Sequence, residues 1–172
     1  QTASFDFTNY RRKINLQITK TDIDKPELKL NGAGYEVTDI TDGKTLTFAG
    51  ESGSQYIVIE DFYNHNLGIP NAEVTIYSDE QGTDTVLETN ADGNGIVKVD
   101  DLEPGTYYWK NMAEIDYLDP NLVEYNEFTV KEKEDTQGIL TVPNLKYGRI
   151  YEVCEVKTPD GYEYLTEAEM VA

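Results

Sequence analysis

The stretch Y-E-V-C-E-V-K-T-P-D-G-Y-E-Y-L, residues 151–165, alternates like a strand and then turns at Pro159-Asp160-Gly161. Side chains on a strand point alternately to its two faces, so Tyr151, Val153 and Glu155 share one face, and Glu152, Cys154 and Val156 share the other. If the Tyr/Val face is the buried one, a carboxylate is carried into an apolar interior. An unpaired ionised carboxylate there costs several kcal/mol or takes up a proton. Glu155 therefore needs a partner, and finding that partner organises the rest of the chain.

Outward from this stretch the same period of two recurs. Ile14, Leu16, Ile18 and Lys20 alternate with Asn15, Gln17 and Thr19, and the pairs Val74/Ile76 and Val97/Val99 repeat the spacing. Turns are written at Asn31-Gly32, Asp42-Gly43, Pro104-Gly105 and Pro159-Asp160-Gly161. Many short strands separated by such turns predict an all-β antiparallel sandwich.

An internal repeat refines this expectation. Residues 18–37 and 58–77 form two similar opening segments, in which Asp22 falls on Asp61, Ala33 on Ala72, and Lys20 on Ile59. Residues 95–111 and 138–155 form two closing segments. With one extra residue in the second turn, Tyr107 falls on Tyr151, Trp109 on Val153, and Asn111 on Glu155. The order open, open, close, close implies nesting, because interleaved units need long crossing connections that folds avoid. The expected architecture is two Ig-like or prealbumin-like antiparallel sandwiches, one inserted in the other. The outer one takes residues 13–50 and 131–172 and the inserted one residues 55–130, with residues 1–12 as a linker or the last strand of a preceding domain. Within the outer unit Lys20 and Glu155 both occupy apolar faces. At the inner equivalents they are replaced together, by Ile59 and Asn111. A pair present or absent as a pair suggests a joint task.

The closing stretch resembles the E-box of Cna protein B-type (SpaA-like) domains of Gram-positive pilins and adhesins, roughly Y-x-L-x-E-T-x-A-P-x-G-Y. The opening I-T-K-T-D…G-A-G-Y-E-V is similar to their first strands. Val156 and Thr158 depart from that pattern without touching its chemistry. The resemblance implies an autocatalytic isopeptide bond from Lys20 to an asparagine or aspartate, with Glu155 shuttling protons. A neutral amine is the nucleophile, an acid beside it can polarise the attacked amide, and fixed geometry supplies the effective concentration. The chemistry is one event of maturation, so the chain is not expected to be an enzyme. The family's partner asparagine stands in a segment like F-T-N after the P-x-G-Y turn, and Ala172 is reached before such a strand. An F-T-N does occur at residues 7–9. Asn9 is expected either in the last strand of a preceding domain or on the outer unit's empty edge, in cis or from a neighbour.

The resemblance further implies an extracellular, cell-wall-attached structural stalk of a pilin or adhesin. Its partners are neighbouring domains or pilus subunits. The alternative is an adhesive module whose inserted domain contacts host matrix protein or glycan. Composition is compatible with either. The chain of 172 residues carries 33 acidic against 14 basic residues, a net charge of −19. Such an excess disfavours nucleic acid and anionic membrane surfaces. A single cysteine allows no internal disulfide, and Cys154 reads as a small packing residue. Asn90, Asp92 and Asn94 sit at calcium-loop spacing, but strands flank them, so a hairpin turn is the expectation and a metal site the weaker alternative. His65 stands alone in its loop. No cofactor is implied.

Overall fold

The computed structural model describes residues 13–41, 47–60, 68–111 and 125–164. Eleven strands and one helical turn follow in order: β1 (Lys13–Thr19), β2 (Gly34–Asp39), β3 (Thr47–Glu51), β4 (Tyr56–Val58), β5 (Glu73–Tyr77), β6 (Thr85–Asn90), β7 (Ile96–Lys98), β8 (Gly105–Asn111), β9 (Asn126–Val130), α1 (Lys133–Thr136), β10 (Ile139–Lys146) and β11 (Tyr151–Lys157). Every strand pairing is antiparallel. The all-β antiparallel class expected from the alternation is what the chain adopts. The turn of helix at Lys133–Thr136 carries no apolar stripe and was not expected.

Four sheets enclose two apolar cores. The pair β1–β10 faces the three strands β11–β2–β3, and the pair β4–β7 belongs with the four strands β6–β5–β8–β9. Between the first two sheets lie Leu16, Ile18, Tyr35, Val37, Phe48, Leu140, Val142 and Tyr151. The other core gathers Ile57, Ile59, Val74, Ile76, Val97, Val99 and Val130, with Trp109 and Phe128 packed against it. Alternation along β4 and β7 sends side chains to both cores. Ile57 and Val97 enter the second, whereas Tyr56, Val58 and Ile96 join the first. The β4–β7 ribbon is thus a layer common to both.

The internal repeat is written into the pairings. As β1 pairs with β10, β4 pairs with β7; as β2 lies between β3 and β11, β5 lies between β6 and β8. The two aligned tyrosines act alike. Tyr107 Oη donates to the carbonyl of Glu103, four residues back, at 2.9 Å. Tyr151 Oη accepts from the N–H of Lys146, five residues back, at 2.7 Å, and donates to its carbonyl at 3.2 Å. The extra residue needed to align the second turn is the extra residue this staple spans. One difference matters for function. Strand β8 has β9 on its second edge, whereas the equivalent edge of β11 is unpaired among the described residues.

Candidate functional site

Lys20 stands one residue past β1 and is fixed through its backbone. Its N–H donates to the Gly138 carbonyl at 2.8 Å, and its own carbonyl accepts from Leu30 N–H at 3.0 Å. Gly138 has φ of +66°, and a Cβ there would stand 2.8 Å from Leu30 N and 2.9 Å from the Lys20 carbonyl oxygen. Only glycine lets these backbones meet. Glu155 lies on β11 opposite Tyr35 of β2, where the register slips between Glu155 and Lys157. Such irregularities re-aim a side chain without ending the strand.

The two side chains meet. Lys20 Nζ donates to Glu155 Oε2 at 2.8 Å. The lysine side chain is 24% exposed and the glutamate 23%, so the pair is half-buried, less sequestered than the alternation implied. Its cover is incomplete because β11 has no described neighbour on that edge. For the same reason Val153, on the face expected to be buried, remains 43% exposed. Glu155 Oε1 is nonetheless buried and has no hydrogen-bond partner among the described residues. An orphaned carboxylate oxygen at that depth normally costs 1–3 kcal/mol or more, roughly, relative to a paired one. Beside it, Tyr35 is 7% exposed. Burial first, and the charge of Glu155 second, push its phenol up to about 12.

A second contact ties the two strand ends together. Tyr162 Oη donates to Asp22 Oδ2 at 3.0 Å. The turn that delivers Tyr162 closes with its N–H on the Pro159 carbonyl at 3.1 Å. Gly161 there has φ of +84°, the left-handed value a type II turn requires at its third residue. The Asp22 carboxyl is held below its ordinary range by the N–H of Asp24 first and by the tyrosine hydroxyl next.

Of the other residues singled out in the sequence, Asn9 and His65 lie outside the described residues. Asp92 Oδ1 accepts from the N–H groups of Asn94 at 2.8 Å and Ile96 at 2.9 Å, while Asn90 Nδ2 donates to the Asn71 carbonyl at 3.2 Å. These side chains secure a hairpin turn. No group of three His, Cys, Asp or Glu placed to hold a metal occurs among the described residues. Cys154 is exposed rather than packed, because no described element covers its face of β11. Two pairings escaped the sequence reading. Arg149 Nε donates to the buried Asp39 Oδ2 at 2.6 Å. The Gln55 side chain meets the Lys131 backbone in both directions, at 3.2 and 3.5 Å. Their sequence separations of 110 and 76 leave no local signal.

The fold and site define an antiparallel β-sandwich module with a lysine–carboxylate pair at an open strand edge. Residues 113–171 match the model of the SpaA family, a prealbumin-like fold domain, so the expected resemblance to SpaA-like domains holds over that stretch. This family is structural and non-catalytic, typical of extracellular surface proteins. The match takes in β9, α1, β10 and β11. One solved structure that the chain matches is the Bacillus anthracis TIE protein, at 20% identity and a TM-score of 0.30. The similarity covers 68% of this chain and 31% of that one. No curated protein sequence matches the chain. No described helix is long and apolar enough to cross a membrane.

Proposed function

We propose that this chain is a stalk module of a Gram-positive cell-surface pilin or adhesin, built of two nested sandwiches and stapled by an isopeptide bond at Lys20. One observation carries the staple: Lys20 Nζ stands 2.8 Å from Glu155 Oε2 while Glu155 Oε1 is buried without a partner. A lone salt bridge leaves that oxygen orphaned. A side-chain amide brought alongside satisfies it and presents its carbonyl carbon to the amine. In the reaction, neutral Nζ attacks the asparagine Cγ, the Nζ–Cγ bond forms, and the Cγ–Nδ2 bond breaks with loss of ammonia. Glu155 takes the proton from the amine and returns it to the leaving nitrogen.

The internal repeat supports the route by which the amide arrives. On β8 the second edge is filled by β9, with Tyr107 opposite Phe128 and Trp109 opposite Asn126. A strand on the equivalent edge of β11 covers the half-exposed pair and excludes water, which strengthens the electrostatics of the site. The donor is Asn9, in cis or from a neighbouring copy, or an asparagine of an adjoining domain; Asn9 itself lies outside the described residues.

Nesting is supported by the two cores, one drawn chiefly from residues 13–50 and 131–172 and the other from 55–130. On this reading the partners are adjoining domains or pilus subunits outside the cell wall. Intact-mass spectrometry of the protein taken from its native surface tests the staple. A mass lower by one ammonia is expected, restored in Lys20→Ala and Glu155→Ala. The full calculated mass in the unsubstituted protein overturns it.

A further inference from the structure

The ends of the segment 55–131 meet at one residue. Gln55 Oε1 accepts the N–H of Lys131 at 3.2 Å, and Gln55 Nε2 donates to the Lys131 carbonyl at 3.5 Å. The Gln55 carbonyl also accepts Val99 N–H at 2.8 Å, which ties the same point to the segment's interior. Between these ends lies a complete core, from Ile57 and Ile59 through Val74, Ile76 and Val97 to Val130. Among the described residues the first strand is β1 and the last is β11. Those strands belong to the other body and are joined to it by the β1–β10 and β11–β2 ladders, by Lys20–Glu155 and by Tyr162–Asp22.

We propose that residues 55–131 are mechanically shielded: tension along the chain bypasses them for as long as the body of β1, β2, β3, β10 and β11 holds. The reason is topological. A force applied at Lys13 and Tyr164 is transmitted across the ladders of that body, while Gln55 and Lys131 move together as neighbouring points and feel no separation. Once the body opens, the two points become the places where force acts. The ribbon face bearing Tyr56, Val58 and Ile96 then loses its cover of Phe48, Leu140 and Val142. Rupture thus has a fixed order, β1/β11 body first and shielded unit second. In a surface appendage this keeps the inserted unit folded, and whatever it presents intact, under loads that strain the stalk. The inference rests on the nested reading and is independent of the staple.

Single-molecule stretching of the whole chain from its two ends tests it, in the Lys20→Ala background so that no cross-link intervenes. An insert of about twenty Gly/Ser residues after Glu80, in the exposed β5–β6 turn, lengthens the event that contains it by about 70 Å. The same insert after Tyr147, in the exposed β10–β11 turn, marks the other body. The expected result is that the Glu80 insert lengthens the second event in every trace and the Tyr147 insert the first. Either variant alone suffices if the other fails to fold. Two events in the reverse or a variable order overturn the shielding. A single undivided event overturns the nesting itself.

Discussion

Glu155 is held in place by neighbours that the local sequence does not reveal, Tyr35 across the ladder and Lys20 at its Oε2, while its buried Oε1 has no hydrogen-bond partner among the described residues. The contrast with Ile59 shows what this environment permits. Ile59 is fully buried at the position equivalent to Lys20. A lysine there has no carboxylate to meet, since Asn111 stands where Glu155 would be. Ile59→Lys is accordingly expected to cost several kcal/mol and to unfold the inner core, read as lost cooperative melting of the Trp109 fluorescence. At Asp39, burial acts to raise the carboxyl. The bonds from Thr41 N–H and Arg149 outweigh it, and the pKa lies below the ordinary 3.8. A carboxyl with a lowered folded pKa stabilises fully above its unfolded value of about 3.9 and loses that contribution as pH falls through the folded value. Asp39→Asn should therefore cost about 2 kcal/mol at pH 7 and progressively less as the pH falls below about 3.9, measured by urea unfolding across that range. A pH-independent cost contradicts the ion pair.

Among the elements, β1, β5, β7 and β11 were legible from their alternation, and the repeat identified Lys20 and Glu155 as a pair before any geometry was known. What the pattern missed has a physical cause. Alternation states which side chains share a face but not whether a second layer covers it. Cys154 and Val153 were both assigned inward roles and both are exposed, because β11 is an edge among the described residues. Arg149–Asp39 and Gln55–Lys131 join elements far apart in sequence, and polar pairs leave no periodic trace. The loop after α1 carries a related lesson. Gly138 combines a left-handed φ with backbone contacts to Lys20 and Leu30. Gly138→Ala should destabilise by about 1–3 kcal/mol and displace Lys20 from Glu155, visible as a changed Lys20 Nζ resonance in NMR. An unchanged Lys20 environment means that the loop does not position the amine.

For the whole molecule, the β4–β7 ribbon has two roles. It closes the inner core and also supplies Tyr56, Val58 and Ile96 to the outer one. Removing residues 55–130 to look for adhesive function therefore strips the outer core, and loss of binding in such a deletion reports unfolding. Surface substitutions on β6 and β9 test host matrix or glycan contact without that confusion. The buried apolar residues among those described fall chiefly in two cores, and the large negative charge of the chain opposes pairing between copies at open edges.

On the proposed reading Lys20 and Glu155 form a covalent-bond-making site rather than a salt bridge. Tandem mass spectrometry of the Lys20 peptide, released by proteolysis from the natively displayed protein, tests this most directly. The account predicts a branched peptide joined through Lys20 Nζ to an asparagine- or aspartate-bearing segment, absent when Glu155 is replaced by alanine. A linear Lys20 peptide carrying a free amine, in protein that has Glu155 intact, contradicts it.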